Sequence, residues 1–213
     1  MVEVPWCSII VPTTVDDPPT LLSLPDQKTL LSMGIELIVV KDRIRAGASR
    51  TRNIGAAVAK GKVLCFIDDD VVFNFSELYG YMLRCLNEEG IFFWADAPHI
   101  LIVKSDPFFR AGGYDERHPY IGGEAVEIRE CLKSLGLELR MLEMSLKHLR
   151  NTWDKKHALL TNKSLTWTYI NYHSLPLRRV LWRKHPVELV RRWVWALEWT
   201  LIQKRRKRSI LVK

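Results

Sequence analysis

The sequence predicts an α/β fold: a mostly parallel sheet flanked by helices, followed by a C-terminal amphipathic helical extension. Three observations carry this. Short apolar runs alternate with helical patterns over the first 90 residues, which calls for right-handed βαβ crossovers and a parallel sheet. The composition, 47% hydrophobic and 26% charged over 213 residues, excludes whole-chain disorder, collagen and coiled coil. The basic charge sits at one end. Pro176–Lys213 holds twelve basic and two acidic residues, whereas residues 1–175 hold 20 basic against 22 acidic. The net charge of +8 therefore belongs to a tail, and the tail's partner should be anionic.

Cys7–Val11 is a β-rich apolar run stopped by Pro12, read as a buried first strand. Asp26 caps a short helix to Met33, which Gly34 ends. Ile35–Val40 is a second buried strand, and Asp42–Ala48 a polar loop. Ser49 caps a helix with Ile54, Ala56, Ala57 and Ala59 on one side, ending at Gly61. Val63–Ile67 is a third strand, followed at once by Asp68, Asp69 and Asp70. Ser76 and Glu77 open a helix that ends near Gly90. Ile91–Ala95 and Ile100–Lys104 read as strands, Ser105–Arg110 as a short helix, and Gly112–Gly123 as a loop. Glu124–Leu135 has helical periodicity, and Leu137–Leu142 and Ser145–His148 are late strands. Ligands of such a sheet bind beyond the carboxyl ends of its strands, where Thr13–Asp17, Lys41–Arg45 and Asp68–Asp70 fall.

Three consecutive carboxylates after a buried strand repel one another unless a cation or donors offset them. Hard divalent ions take oxygen ligands, and Mg²⁺ or Mn²⁺ commonly uses one or two carboxylates plus substrate phosphates. In extended geometry Asp68 and Asp70 face one side and both reach one ion. The alternative is a turn with Asx caps. Cys7, Cys65, Cys85 and Cys131 form no CxxC pair, so reduced thiols are expected rather than a disulfide framework or zinc site.

The segments SIIVPTT (8–14), RTRNIGAAVAKGKVLCFIDDDVVF (50–73) and FRAGGYDERHPYIGGEAVEI (109–128) resemble, in order, the signatures of family 2 glycosyltransferases. The resemblance implies a GT-A-like, Rossmann-like fold over residues 1–150. It implies Mn²⁺ or Mg²⁺ as cofactor, a nucleotide-sugar donor, and an inverting transfer to a lipid-linked or glycan acceptor. It places Pro12, Thr13 and Thr14 against the base and ribose, and Asp42 near the acidic base-contacting position. It places Arg52, Asn53 and Gly55 beside the nucleotide. Asp68 and Asp70 match the DxD motif as metal ligands, with Asp69 on the donor side, and His148 sits where many such enzymes put a histidine on the metal or diphosphate. Gly122, Gly123 and Glu124 match the start of a GGED-like motif. Its aspartate, often the catalytic base, is here Ala125. Glu124, which opens the helix, or Glu127, one turn on, takes that role.

Residues 151–213 read as a helical, basic, Trp-rich extension. After Pro186, Val187, Val190, Val194, Leu197 and Leu201 repeat at three or four, with Trp193, Trp195, Trp199 and Lys204–Arg208 alongside. That is the pattern of an interfacial helix on an anionic membrane; packing on the domain or a second subunit is the alternative. Met1–Trp6 shows no secretory signal and no apolar run approaches a spanning length. The expected location is cytoplasmic, peripheral at the cytoplasmic face of the membrane. Two rival readings follow from particular features: Ala125 suggests a nucleotide-sugar-binding protein without transferase activity, and the tail suggests nucleic-acid binding, although no recognisable module supports it.

Overall fold

The structure is a computed structural model that describes residues 4–43, 47–95, 99–116 and 123–149, without the side chains of residues 123, 124 and 126. The extension foreseen over 151–213 lies outside the described residues. So do residues 44–46 of the polar loop and 117–122 of the glycine-rich loop. Of the described residues, all but 123–126 belong to one compact unit.

That unit is a six-stranded sheet with helices on both faces. Strands β1 (Cys7–Thr13), β2 (Ile35–Lys41), β3 (Val63–Ile67), β5 (Ile91–Ala95), β6 (Ile100–Lys104) and β7 (Glu138–Met141) lie in the order β2-β1-β3-β6-β5-β7. β1 pairs in parallel with β2 and β3, and β5 with β7. Only β6 runs against its neighbours β3 and β5. The sheet is therefore mostly parallel, as the βαβ alternation requires. A second small sheet joins β4 (Val71–Phe73) to β8 (Leu146–His148), antiparallel.

Helices α1 (Gln27–Ser32) and α3 (Phe75–Asn87) cover one face. There Leu30, Leu78, Met82 and Cys85 pack against Cys7, Ile9, Cys65, Ile67, Phe93 and Ile102, all essentially without exposure. Each such large apolar side chain contributes about 1.5–3 kcal/mol by leaving water. α2 (Ala48–Val58), α4 (Ser105–Arg110) and α5 (Gly123–Ser134) lie on the other face. Phe108 of α4 stacks on Phe66, with ring centroids 4.9 Å apart. Arg129 of α5 lies over Trp94 at 5.7 Å. The small residues of α2 serve this packing: a Cβ on Gly55 would meet Ile10 Cγ2 at 2.5 Å, so only glycine lets the helix approach β1 so closely. All four cysteines carry free thiols.

Four details differ from the sequence reading. β1 continues through Pro12, because beyond Ile10 the strand pairs with β2 alone and no bond to β3 is lost. β2 is only half-buried, being an edge strand. The caps of α2 and α3 fall at Gly47 and Asn74, so Ser49 and Ser76 lie inside the first turns. β4 was not expected at all. Asp26 caps α1 as expected, accepting from the Thr29 N–H at 3.0 Å. Among the described residues no helix is long and apolar enough to cross a membrane.

Candidate donor and metal site

The triple aspartate leaves the end of β3. Asp68 extends the ladder with β6 by one step: its N–H donates to the His99 carbonyl at 3.2 Å, and the His99 N–H donates to Asp68 Oδ2 at 3.0 Å. The chain then turns. Thr20, fully buried, clasps that turn. Its N–H donates to the Asp69 carbonyl at 3.2 Å, and its hydroxyl accepts from the Val71 N–H at 2.8 Å. The same hydroxyl lies 2.7 Å from the Asp68 carbonyl, to which it donates. Residues 68–70 are thus a turn and not the extended segment expected from i, i+2 spacing.

The turn sends the three carboxylates in three directions. Asp68 Oδ1 accepts from Arg52 Nη2 at 2.7 Å. Asp69 Oδ2 accepts from the Thr13 hydroxyl at 2.7 Å. Asp70 Oδ1 lies 3.0 Å from His148 Nε2, because β4 and β8 pair with Val71 opposite His148. The Leu149 N–H donates to the Asp70 carbonyl at 2.8 Å and holds that strand end in place. Burial pushes the Asp68 carboxyl up, but the Arg52 charge and the His99 N–H outweigh it and hold the group below its ordinary value. Burial, then the Arg52 charge, pushes His99 down to about 3, so its imidazole is neutral at physiological pH.

Around this turn lie most of the other residues that the sequence singles out. Pro12 and Thr13 end β1, and Thr14 is exposed just beyond. The Asp42 N–H donates to the Thr13 carbonyl at 2.7 Å, and Asp42 Oδ2 accepts from the Gly47 N–H at 2.9 Å, which ties the end of β2 to the cap of α2. Arg52 is 4% exposed, so its guanidinium is enclosed, whereas Arg50 on the same helix faces solvent. Asn53 is committed to the loop after α4. Its Oδ1 accepts from the Tyr114 N–H at 3.0 Å, and its amide donates to the Tyr114 carbonyl at 2.8 Å and to Glu116 at 3.0 Å. Gly113 needs positive φ there (68°), and a Cβ would press on Asn53 Oδ1 at 2.9 Å. Glu127 is buried on α5. Glu124 lies in the first turn of α5, outside the unit that holds the aspartates.

Thr20 and His99 were not singled out from the sequence, whereas Tyr114 belongs to the segment Gly112–Glu116 that resembles the family's GGFDE-like motif. A threonine after paired prolines and a histidine before a strand have no local signature; only the tertiary pairing of β3, β6 and the short 3-10 helix Pro19–Ser23 gives them work.

Among the described residues, no group of three or more His, Cys, Asp or Glu side chains is arranged to hold a metal. Asp70 and His148 form a partial donor set. The two are hydrogen-bonded to each other at 3.0 Å, and the carboxylate is a donor of the kind that Mg²⁺ and Mn²⁺ take. Ions of that kind take one or two side chains and complete their shell with phosphates and water. The residues present therefore fit Mg²⁺ or Mn²⁺ held jointly with a diphosphate.

Residues 14–93 match the family described as glycosyl transferase family 2. No curated protein sequence matches the chain significantly. Among solved structures, it is similar to the catalytic domain of Drosophila beta1,4galactosyltransferase 7 in complex with xylobiose, at 18% identity and TM-score 0.54, covering 69% of this chain and 71% of that one. It is similar to the mannosyltransferase PcManGT from Pyrobaculum calidifontis in complex with GDP-Man and Mn²⁺, at 12% identity and TM-score 0.59, covering 79% and 64%. It is also similar to GalNAc-T7 with UDP, GalNAc and Mn²⁺, at 13% identity and TM-score 0.56, covering 79% and 48%. The matched regions thus span less than two thirds of the mannosyltransferase and about half of GalNAc-T7. These likenesses establish the GT-A fold.

Proposed function

We propose that this chain, residues 14–93 of which match glycosyl transferase family 2, moves a sugar from a nucleotide-sugar donor to a glycan or lipid-linked acceptor, with a divalent ion and inversion at the anomeric carbon. The observation that carries this is the Asp70–His148 pair beside two further aspartates, beyond the carboxyl ends of parallel strands. Ligands of α/β sheets bind at that edge.

In this reading Pro12, Thr13, Thr14 and Asp42 bracket the base and ribose, and Asp69 faces the donor. Asp70 and His148 would hold Mn²⁺ or Mg²⁺, which would supply stabilisation of the charge that develops on the leaving group. Glu124 takes the proton of the acceptor hydroxyl, with Glu127 the second candidate. The hydroxyl oxygen bonds to the anomeric carbon as the bond to the diphosphate breaks on the opposite face, which inverts the centre. The basic tail recruits the chain to an anionic membrane surface, where a lipid-linked acceptor would lie.

A second reading, donor binding without transfer, is favoured by Ala125 in place of an acid. Turnover separates the two. Nucleoside diphosphate release from UDP-, GDP- and dTDP-sugars is measured with Mn²⁺ and a glycan or lipid-linked acceptor panel. We expect release from one donor, lost with EDTA and reduced about 100-fold or more in Glu124→Gln, in line with loss of a general base. Binding without release across the panel would support the silent reading.

A further inference from the structure

A closed ring of contacts beside the aspartate turn carries an assignment of its own. It runs through four segments of the chain. Arg52 of α2 donates to Asp68 at 2.7 Å. Its guanidinium lies over the Tyr114 ring, 5.2 Å from the centroid. Asn53, the next residue of α2, grips the Tyr114 backbone from both sides, at 2.8 and 3.0 Å. The Tyr114 hydroxyl meets His99 Nε2 at 2.8 Å. The His99 N–H then returns to the second Asp68 oxygen at 3.0 Å. Arg52, Tyr114 and His99 are buried and Asp68 is half-buried, so the network lies mostly beneath the surface.

We propose that His99 and Tyr114 are positioning residues of the donor site, which lock Arg52 onto Asp68 so that Arg52 braces the aspartate turn instead of binding donor phosphate. The proposal rests on the donor-binding reading above.

A guanidinium that contacts a ligand phosphate must present its donors outward; that of Arg52 is enclosed between a carboxylate and an aromatic face. Three adjacent carboxylates repel, and pairing the first with Arg52 leaves Asp69 and Asp70 to face the ligand with less internal repulsion. An ion pair taken out of water is stable only in well-fixed geometry. The ring supplies that geometry, since one edge of Asp68 is held by a side chain and the other by backbone.

Tyr114→Phe tests this with little else disturbed. It removes the hydroxyl, while the ring over Arg52 and the backbone bonds to Asn53 remain. UDP and GDP are titrated calorimetrically into wild type and variant, with Mn²⁺ and with EDTA, below the Tm of both. We expect the variant to bind the preferred nucleotide about tenfold more weakly with Mn²⁺ and unchanged with EDTA. A residue needed only for stability would lower Tm and leave both constants as in wild type. Should Tyr114→Phe fail to fold, His99→Ala and His99→Gln replace it. The amide of Gln can still meet the Tyr114 hydroxyl, so Gln should restore what Ala loses. Equal Mn²⁺-dependent affinity in wild type and variants overturns this inference alone. No binding of either nucleotide by the wild type overturns the donor-binding reading, and this inference with it.

Discussion

At the scale of single residues, the site is an exercise in separating like charges. Asp68, Asp69 and Asp70 are adjacent in sequence, yet each is met by a different partner: Arg52, Thr13 and His148. The sequence made the aspartates visible as acids after a buried strand, and His148 visible only through the family resemblance. It hid His99, whose importance comes from burial and from a neutral ring. That neutrality has a measurable consequence. Its folded pKa, about 3, lies below the reference value of 6.5. The unfolded chain therefore takes up a proton that the folded protein refuses, and stability falls as pH drops from about 6.5 toward 3. We expect about 1 kcal/mol to be lost between pH 7 and 5.5 from this residue, read as a lower Tm, and His99→Gln to flatten that slope. Asp68 acts in a separate window. Its lowered pKa contributes stability present above its reference value of 3.8 and lost as pH falls through the folded value. Equal slopes in wild type and His99→Gln would contradict the buried neutral ring.

At the scale of elements, the local signals located most strands and helices but misplaced some of their ends, and the long-range ones were silent. The Asp26 cap, the all-buried β3 and the alternation of strands with helices were legible because each is written within a few residues. The antiparallel placing of β6 was not legible, nor was the pairing of Val71–Phe73 with Leu146–His148. Three-residue strands carry too few residues for periodicity, and their partners are distant in sequence. Pro12 misled for a related reason: proline stops a strand only where its missing N–H would have been used. The element that shapes the site most is the turn fixed by Thr20. Thr20→Val keeps the volume but leaves the buried Val71 N–H without its acceptor. An unpaired buried donor costs about 1–3 kcal/mol, which for a chain of this size lowers Tm by about 3–10 °C. Thr20→Ser should recover most of the loss in a thermal melt. Equal melting of Thr20→Val and wild type would mean that the hydroxyl does not hold the turn.

At the scale of the whole molecule, the sheet's polarity organises everything else. β1, β2 and β3 run the same way, so their carboxyl ends gather Thr13, Asp42 and the aspartates at one edge. At the opposite ends of these strands, Ser8 donates to Glu36 at 2.6 Å and accepts from the Gly61 N–H at 2.8 Å. Fold class was readable at this scale because the βαβ pattern leaves few topologies. The donor base, the sugar and the acceptor are set by side chains around a ligand, which no periodicity encodes. The central claim is that this edge binds a nucleotide-sugar through a divalent ion held by Asp70 and His148. Its most direct test is calorimetric titration of UDP-, GDP- and dTDP-sugars, with and without Mn²⁺, into wild type and Asp70→Asn. The account predicts Mn²⁺-dependent binding of one donor by the wild type and at least about tenfold weaker binding by the variant, a loss of about 1.4 kcal/mol or more. Binding that ignores both Mn²⁺ and Asp70, or no binding by folded wild-type protein, would contradict it.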